Sequence, residues 1–370
     1  MGKKTVGVVV DGPDASQDHH RGITGLRVTE VRMSQSRSLE MRKAKKAHTR
    51  LVFALLATFA GCAARQSTSL ALPKPGSCRP GMPCWPSVEE WQSLGHKLTG
   101  KLLQPRSPLK PCAEDFASAA CNGVLQTLKN PYALQEDPGA TQSLGFLGAW
   151  DAAASEYAVA AETPEDIALG VRFAREHGLK LVVKGTGHDY LGRSNAPQSF
   201  LIWTHRMRRI SVQDAFVPAG CPASATPSPA ITVEAGTRWL EAYQAAGQHG
   251  RYVPGGGCMS VGAAGGFLQG GGFGPWSNAY GISAAGLLEA QVVTADGVLR
   301  VANACQNPEL FWALKGGGGG TFGVVTQVTL LTHPAPSSMG FVVGEVRARD
   351  DASYLELLRR FFALDRKAHV

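Results

Sequence analysis

Four glycine-rich runs within residues 185–323 constrain the fold of this chain more than any other feature of its sequence. They read Gly185-Thr-Gly-His188, Gly255-Gly-Gly-Cys258, Gly265-Gly-Phe-Leu-Gln-Gly-Gly-Gly-Phe-Gly274 and Gly316-Gly-Gly-Gly-Gly-Thr-Phe-Gly323. A glycine-rich turn after a strand has no Cβ in the way, so its backbone N–H groups approach an anion such as a pyrophosphate closely. One such run is also typical of a hairpin turn. The succession of four favours a site for a phosphate-bearing ligand.

The four runs do not follow the strand–GxGxxG–helix fingerprint, with an acidic residue further along, that marks a Rossmann dinucleotide site. A nicotinamide-dependent dehydrogenase on a Rossmann sheet is therefore the third-ranked hypothesis for this chain.

Hydrophobic periodicity and turn residues mix helices with strands and predict an α+β fold. Thr163-Pro164 begins a helix with an apolar stripe that ends at Gly178, and Ser87 with Glu90 is typical of a capping box at the start of an earlier helix. The other predicted elements are strands over 179–183, 231–235 and 340–346, helices over 238–248 and 353–364, and a hairpin over 288–301 turned at Asp296-Gly297.

The glycine runs and the segments between them resemble the FAD-linked oxidases of the vanillyl-alcohol oxidase and p-cresol methylhydroxylase (PCMH) superfamily, in the berberine bridge enzyme-like branch. The matching motifs follow the family's order through residues 157–334: 163–177, 184–194, 202–205, 253–274, 289–297 and 309–325. The resemblance implies a PCMH-type FAD-binding domain of two α/β subdomains, followed by an antiparallel-sheet substrate domain.

The resemblance also implies a bicovalent flavin. In that branch the histidine matching His188 bonds the 8α-methyl group of FAD, and the cysteine matching Cys258 bonds the ring carbon beside it. Met259 and Phe273 depart from the family's usual residues. The same motifs place further cofactor-binding residues at Lys184, Gly185, Thr186, Gly187, Asp189, Tyr190, Gly192, Ser194, Gly256, Gly257, Val261, Gly262, Gly265, Gly266, Gly271, Gly272, Gly323 and Val325.

Outside such motifs the same residue types usually have simpler roles. A lone histidine is commonly a hydrogen-bonded residue and a lone cysteine a buried hydrophobe. Asp189 and Tyr190 either contact the cofactor and orient His188, or cap their own loop. Trp203 is expected in the core, and His205 is left open between core and pocket.

The implied activity is that of an oxidase. It takes a hydride from an alcohol, sugar or secondary metabolite and passes electrons to dioxygen, which yields hydrogen peroxide. Val261 matches a family position that controls oxygen access, and valine there favours an oxidase. The catalytic base is expected beyond Val370, so a catalytically incomplete FAD-binding fragment and an FAD-dependent dehydrogenase with another acceptor both stay open.

The formal net charge of +8 is concentrated at the start of the chain. Residues 1–65 contain 12 Lys/Arg and 5 Asp/Glu, of 37 and 29 in total. The remainder is nearly neutral, which argues against a nucleic-acid partner.

Segment 41–64 has the pattern of a secretory signal. The basic residues 42–46 precede an apolar run over 51–60 that is too short to span a membrane, and small residues follow it. We expect export, with translation starting at Met41. The alternatives are a disordered basic tail and a bacterial lipoprotein anchored at Cys62.

The chain has eight cysteines. With Cys62 in the leader and Cys258 assigned to flavin, an even set of six remains, which favours disulfides in an exported protein. Cys78/Cys84 and Cys112/Cys121 are plausible local pairs, although sequence leaves the connectivity open. The chain contains no CxxC pair, and we expect no metal site.

The expected domain order follows from these segments. It is a basic leader over 1–65, a Cys/Pro-rich extension over 66–150, the FAD-binding domain over 151–335, and the beginning of an incomplete substrate domain over 336–370. The expected partners are a small-molecule substrate and dioxygen.

Overall fold

The structure is a computed structural model that describes residues 73–140, 153–337 and 348–368. The predicted leader and the strand expected over 340–346 lie outside the described residues. The chain divides into two units, of which one is Leu70–Ser337 and the other contains the described residues 348–368. The described part of the latter contains helix α10, Asp351–Ala368, which includes the helix predicted over 353–364.

The first half of the large unit is built around a four-stranded sheet. Strands β2, β4 and β3 run parallel to one another, and β1 pairs antiparallel to β2 in the order β1-β2-β4-β3. The elements in chain order are α1 Val88–Lys97, β1 Lys101–Leu103, α2 Lys110–Glu114, α3 Ala119–Thr127, α4 Pro131–Gln135, β2 Tyr157–Ala160, α5 Pro164–Glu176, β3 Leu181–Lys184 and β4 Phe200–Trp203.

The second half is built around a five-stranded antiparallel sheet in the order β5-β6-β10-β8-β9, with β7 and β11 paired separately. This mixture of helices and two sheets confirms the α+β prediction. The elements are β5 Ile210–Phe216, β6 Ser228–Glu234, α6 Trp239–Gln248, β7 Arg251–Tyr252, α7 Gly266–Gln269, α8 Ser277–Tyr280, a 3-10 helix Ser283–Gly286, β8 Leu287–Val293, β9 Leu299–Asn303, α9 Pro308–Leu314, β10 Val324–Leu331 and β11 His333–Pro334.

Helix α5 begins where the sequence predicts. The Thr163 hydroxyl accepts from the Asp166 N–H, Asp166 bonds back to the Thr163 N–H, and Pro164 occupies the first turn, where its missing donor costs nothing. Gly178 follows the helix with φ of +62°, a left-handed conformation that suits glycine. The predicted capping box of Ser87 and Glu90 at α1 and the hairpin of β8 and β9 are also confirmed.

Aromatic packing joins the N-terminal extension to the first sheet. Trp91 on α1 is 3% exposed and stacks on Tyr157 of β2, with ring centroids 4.0 Å apart, and its ring also meets Phe173 and Phe200. Strand β1 comes from the same extension. Residues 88–103 therefore belong to the same compact unit as β2–β4.

Three disulfides are present in the described part of the chain. Cys78–Cys84 and Cys112–Cys121 are the two pairs that we considered plausible, and both lie in the extension. The third, Cys221–Cys305, joins residues 84 positions apart and connects the loop after β5 to the loop after β9. A cross-link of that length limits the unfolded chain more than the two short loops do.

Asp166 gives the first testable prediction. Its carboxylate is 1% exposed and accepts from the N–H groups of Thr99, Gly100, Glu162 and Thr163. We expect Asp166→Asn to lower the free energy of unfolding by about 2 to 3 kcal/mol, because an amide NH₂ would face N–H donors. Urea unfolding measures this. Glu165→Gln, at the neighbouring exposed residue, is the control and should change stability by less than about 1 kcal/mol. Equal loss of stability in the two variants would contradict the role of the Asp166 carboxylate as an acceptor of buried N–H groups.

Candidate functional site

The first two glycine-rich loops meet through side chains. Nε2 of His188 lies 3.0 Å from Oγ of Ser260, 72 positions further along the chain. The buried N–H of Gly262 donates to Oγ1 of Thr186 at 2.9 Å. A Cβ on Gly262 would lie 3.2 Å from that hydroxyl oxygen, so the close approach favours glycine. The structure thus brings together the loops that carry His188 and Cys258.

The first loop leaves the end of β3 and turns sharply at Gly187, whose φ of +80° favours glycine. Beneath it, the Lys184 side chain is 1% exposed, and its ammonium donates to the carbonyl oxygens of Asp137 and Ala140, at 2.7 Å each. Burial lowers the pKa of Lys184 to about 8, and nearby Asp137 acts in the opposite direction. The ammonium therefore anchors the extension to the base of the loop.

Gln135, the last residue of α4, closes the other side of the His188 ring. Its Nε2 lies 3.1 Å from Nε2 of His188 and also contacts the carbonyl oxygen of Ser260. Burial lowers the pKa of His188, while a hydrogen bond involving the Ser260 backbone raises it. The net shift is downward, so the imidazole is neutral at neutral pH.

The second loop runs beside the start of α6. The N–H of Trp239 donates to the carbonyl of Val261 at 2.9 Å, and the N–H of Leu240 donates to that of Met259 at 3.0 Å. Val261 is half-buried and packs on the core of the second half. Cys258 is exposed and is the free cysteine of the described chain. The loop therefore holds Val261 against the core and presents Cys258 to solvent.

The third and fourth runs pack against each other and against the second loop. Gly256 and Gly272 both face the ring of Phe267, which a Cβ on either residue would approach within 3.0 Å. A Cβ on Gly319 would lie 2.8 Å from the Cα of Gly266, at the start of α7. Gly265 precedes that helix as its N-cap residue. These contacts require glycine for close packing of backbone segments.

Other predicted residues have local roles in the structure. Asp189 accepts from the N–H groups of Leu191 and Arg193 and forms an ion pair with the Arg193 guanidinium at 2.8 Å. Burial raises the pKa of Asp189, but these hydrogen bonds outweigh it and the net shift is downward. The Asp189 carboxylate thus caps its own loop. Tyr190 is about half exposed, Gly192 donates to the Asp189 carbonyl, and Ser194 is buried.

Two predicted residues lie on the second sheet, away from the loop contacts. Val325 pairs with Val292 between β10 and β8 and is part of the hydrophobic core. Gly323 precedes β10, and a Cβ there would lie 2.6 Å from the carbonyl oxygen of Val293. In the third glycine-rich run, the carbonyl oxygen of Gly271 accepts from the N–H of Ala284 in the 3-10 helix. The packing of strands explains these residues in the described structure, and their cofactor contacts stay predictions.

Trp203 ends β4 and His205 lies two residues beyond it, and both line an open cleft with Glu136 and Arg208. Their rings stack 5.2 Å apart, and both residues are nearly fully buried. Nε2 of His205 lies 2.9 Å from a Glu136 oxygen. Burial lowers the pKa of His205, and the hydrogen bond that its ring donates to the Glu136 carboxylate opposes the shift. Glu136 adjoins Gln135, so the end of α4 contacts both this cleft and His188.

The loops fit a phosphate-bearing cofactor. Within the described residues, the backbone N–H groups of Gly185–Gly187 and Gly255–Gly257 donate to no acceptor. Such runs of unengaged N–H groups suit the oxygens of a pyrophosphate. The buried Oε1 of Gln135 and Oγ of Ser194 also lack a hydrogen-bond partner in this part of the chain. These donors and orphaned polar atoms are compatible with a phosphate-bearing cofactor.

Sequence reasoning missed Gln135 and Ser260 as site residues. Asn130-Pro131 has the pattern of a helix start, and the Asn130 side chain indeed accepts from the Tyr132 N–H. That pattern predicts a short helix but not the residue that α4 contacts. Ser260 lies within the second loop and carries no motif of its own.

Neither a metal-ligand cluster nor a membrane-spanning helix occurs among the described residues. The described residues contain no group of three or more His, Cys, Asp or Glu side chains arranged to hold a metal ion. In the same residues, no helix combines the length and apolar character needed to cross a membrane.

Comparisons with known proteins agree with the site. Residues 155–303 match the FAD binding domain family. The FAD-linked oxidoreductase easE of Arthroderma otae is 39% identical over 301 residues, which cover 75% of this chain and 49% of that protein. The chain thus spans about half the length of the curated relatives it matches.

Two solved structures share the fold. The VAO-type flavoproteins MtVAO615 and MtVAO713 of Myceliophthora thermophila C1 are 33% and 32% identical to this chain, with TM-scores of 0.62 and 0.63. The alignments cover 70% and 71% of this chain and 50% and 49% of theirs.

The bond between the loops gives the second prediction. We expect Thr186→Val to destabilise the chain by about 1 to 3 kcal/mol, because it leaves the buried Gly262 N–H without an acceptor while preserving side-chain volume. Thr186→Ser keeps the hydroxyl and is the matched control. Urea unfolding of both variants measures the difference. If valine and serine were equally tolerated, the hydroxyl would not link the loops.

Proposed function

Because residues 155–303 form an FAD-binding domain and the chain belongs with the VAO-type flavoproteins, we propose that it binds FAD covalently through His188 and Cys258. The observation that carries this proposal is the 3.0 Å contact between His188 and Ser260, which joins the two loops. Their glycine residues leave backbone N–H groups for the cofactor's phosphates. The cofactor-binding residues named from the sequence belong to this proposal.

The state of the two side chains supports covalent attachment. His188 is a neutral imidazole at neutral pH, because burial lowers its pKa, and a neutral ring nitrogen is nucleophilic. Cys258 is unpaired in the described chain and exposed. Each bond replaces one hydrogen on the flavin by the side-chain nitrogen or sulfur. For each bond, the flavin hydrogen and the N–H or S–H hydrogen would leave as two protons, and the two electrons released would reduce the flavin, which one dioxygen molecule would then reoxidise.

The proposed activity is that of an FAD-linked oxidoreductase. When bound, FAD supplies a hydride acceptor that returns two electrons to dioxygen and yields hydrogen peroxide. We propose an alcohol, sugar or secondary metabolite as the substrate. Val261, packed on the core beside Cys258, is the residue that we propose controls the approach of oxygen.

Three disulfides support a proposal about localisation. All six of the cysteines expected to pair do so in the described chain, and disulfides persist mainly in oxidising compartments. We therefore propose that the protein is exported through the signal-like segment at 41–64.

Flavin retention after denaturation tests the covalent proposal. We expect the full chain, expressed in a secretory host and precipitated in acid, to keep flavin fluorescence and a matching mass increase on the polypeptide. His188→Ala and Cys258→Ala should each keep one attachment, and the double variant should release all flavin. His249→Ala removes an exposed histidine and is the control that should retain both bonds.

Each outcome has a distinct meaning. Flavin that is bound but released by acid from the unaltered chain would support FAD binding and overturn covalent attachment. A chain without flavin under any condition would overturn the whole proposal. Peroxide formation with oxidisable alcohols and sugars, compared with reduction of an artificial electron acceptor, separates an oxidase from a dehydrogenase.

A further inference from the structure

The loop that joins β5 to β6 carries exposed hydroxyl groups at its tip, which reads Pro222-Ala-Ser-Ala-Thr-Pro227. Ser224 and Thr226 are both exposed, and neither hydroxyl makes a hydrogen bond within the described residues. A segment rich in serine, threonine and proline is typical of O-glycosylated chains. The tip therefore has the composition and the exposure of a modification site.

The base of the same loop is anchored to the second sheet. The Ala219 N–H donates to the buried Glu289 carboxylate of β8 at 2.7 Å, and the Ala219 carbonyl accepts from the Asn303 side chain of β9 at 2.9 Å. The disulfide Cys221–Cys305 adds a covalent link at the same place. The tip thus extends beyond a base that both hydrogen bonds and a cross-link hold to the sheet.

Thr226 differs from the other hydroxyl residues that precede a proline. The sequence has four Ser/Thr-Pro dipeptides, which begin at Ser107, Thr163, Thr226 and Ser228. The Ser107 hydroxyl accepts from the Leu109 N–H, the Thr163 hydroxyl caps α5, and Ser228 is half-buried at the start of β6. Of the four, only Thr226 is exposed with an unbonded hydroxyl, and Pro227 favours an extended backbone there. Such a hydroxyl is accessible to the active site of a modifying enzyme.

The disulfide at the base of the loop favours a sugar over a phosphate as the modification. An exposed Thr-Pro dipeptide would also suit a protein kinase that acts before proline. Cys221 lies in the same loop as Thr226 and is paired with Cys305, and disulfides persist mainly in oxidising compartments. Sugars are added to hydroxyl groups in the secretory pathway, whereas most protein kinases use cytosolic ATP. The compartment that suits the disulfide is therefore the one in which the hydroxyl meets a glycosyltransferase.

We propose that Thr226 is an O-glycosylation site of the exported protein. This inference rests on the proposed export. Oγ1 of Thr226 attacks the anomeric carbon of a sugar that is activated as a nucleotide or lipid phosphate. A new C–O bond forms, the bond from the anomeric carbon to the phosphate oxygen breaks, and the hydroxyl proton passes to a base of the transferase. The phosphate carrier is the leaving group, and nothing is oxidised or reduced.

Mass spectrometry of the secreted protein tests the site. The full chain is expressed in a yeast that O-glycosylates secreted proteins, once with its own leader and once behind an added host signal sequence. Chain retained in the endoplasmic reticulum is recovered and treated in the same way. After reduction, trypsin cleaves at Arg209 and Arg238, so one peptide contains the whole loop. Electron-transfer fragmentation then locates the sugar, which we expect on Thr226 in most molecules. The sequence has no Asn-X-Ser/Thr acceptor, so a sugar on this chain is O-linked.

Two variants of the same tryptic peptide serve as test and control. Thr226→Val removes the hydroxyl and keeps the shape of the side chain, so the peptide should lose the sugar. Ser211→Ala removes an exposed hydroxyl on β5 that has no proline beside it, and the sugar on Thr226 should be unchanged. Both substitutions are at exposed positions, so the amount of protein and its disulfide content should match those of the unaltered chain.

The site and the proposed export fail in different ways. If the chain that enters the secretory pathway has an unmodified Thr226, a phosphate there, or a sugar only on other residues such as Ser224, the site is overturned. If the chain with its own leader stays in the cytosol, while the chain with the added signal has a sugar on Thr226, the export proposal fails and the site is supported.

Discussion

The buried hydrogen bond from the Gly262 N–H to the Thr186 hydroxyl is the contact on which the site depends. The first loop leaves the parallel sheet at β3, and the second precedes α7 and lies against the core of the antiparallel half. A shift of either half would break this bond and the neighbouring contact between His188 and Ser260. The packing of both halves therefore determines whether two residues 70 positions apart act on one ligand.

The N-terminal extension contributes to both the fold and the site. Trp91 fills the core beside β2, and α4 ends against the His188 ring through Gln135. The disulfide Cys112–Cys121 joins α2 to α3 just ahead of α4 and limits the freedom of the segment. A domain defined by the matched residues 155–303 alone would omit Gln135, whose amide nitrogen lies 3.1 Å from Nε2 of His188.

Local patterns allowed the sequence to predict much of the fold. Capping boxes, Gly178 after α5 and the Asp296-Gly297 turn depend on residues a few positions apart, and the structure confirms them. Strand β1 could not be predicted in this way. It has three residues, too few for a periodic pattern in the sequence, and it forms by pairing with the edge of β2. Cys221 and Cys305 likewise meet only through the sheet that brings the two loops together.

The residues of the candidate site also differ in whether a local sequence pattern predicts them. The glycine runs identified the loops, because close backbone approach restricts the residue type at each contact. Gln135 carries no such restriction in the sequence, since glutamine occurs in many short helices, and its role depends on which surface α4 meets. Val325 differs again, because its place in a family motif predicts a cofactor contact, and the structure shows its strand pairing with Val292, which no motif had indicated.

The Lys184 ammonium both holds the N-terminal extension and places a positive charge under the first loop. Its ammonium binds carbonyl oxygens of the extension, so it need not touch a ligand to influence one. With a pKa of about 8 it stays mainly protonated at neutral pH, and it places a positive charge in a buried setting beneath the N–H groups of Gly185–Gly187. An anion held by those groups would in turn favour the charged ammonium. The same lysine therefore binds the extension to the loop and makes the loop more favourable for a phosphate.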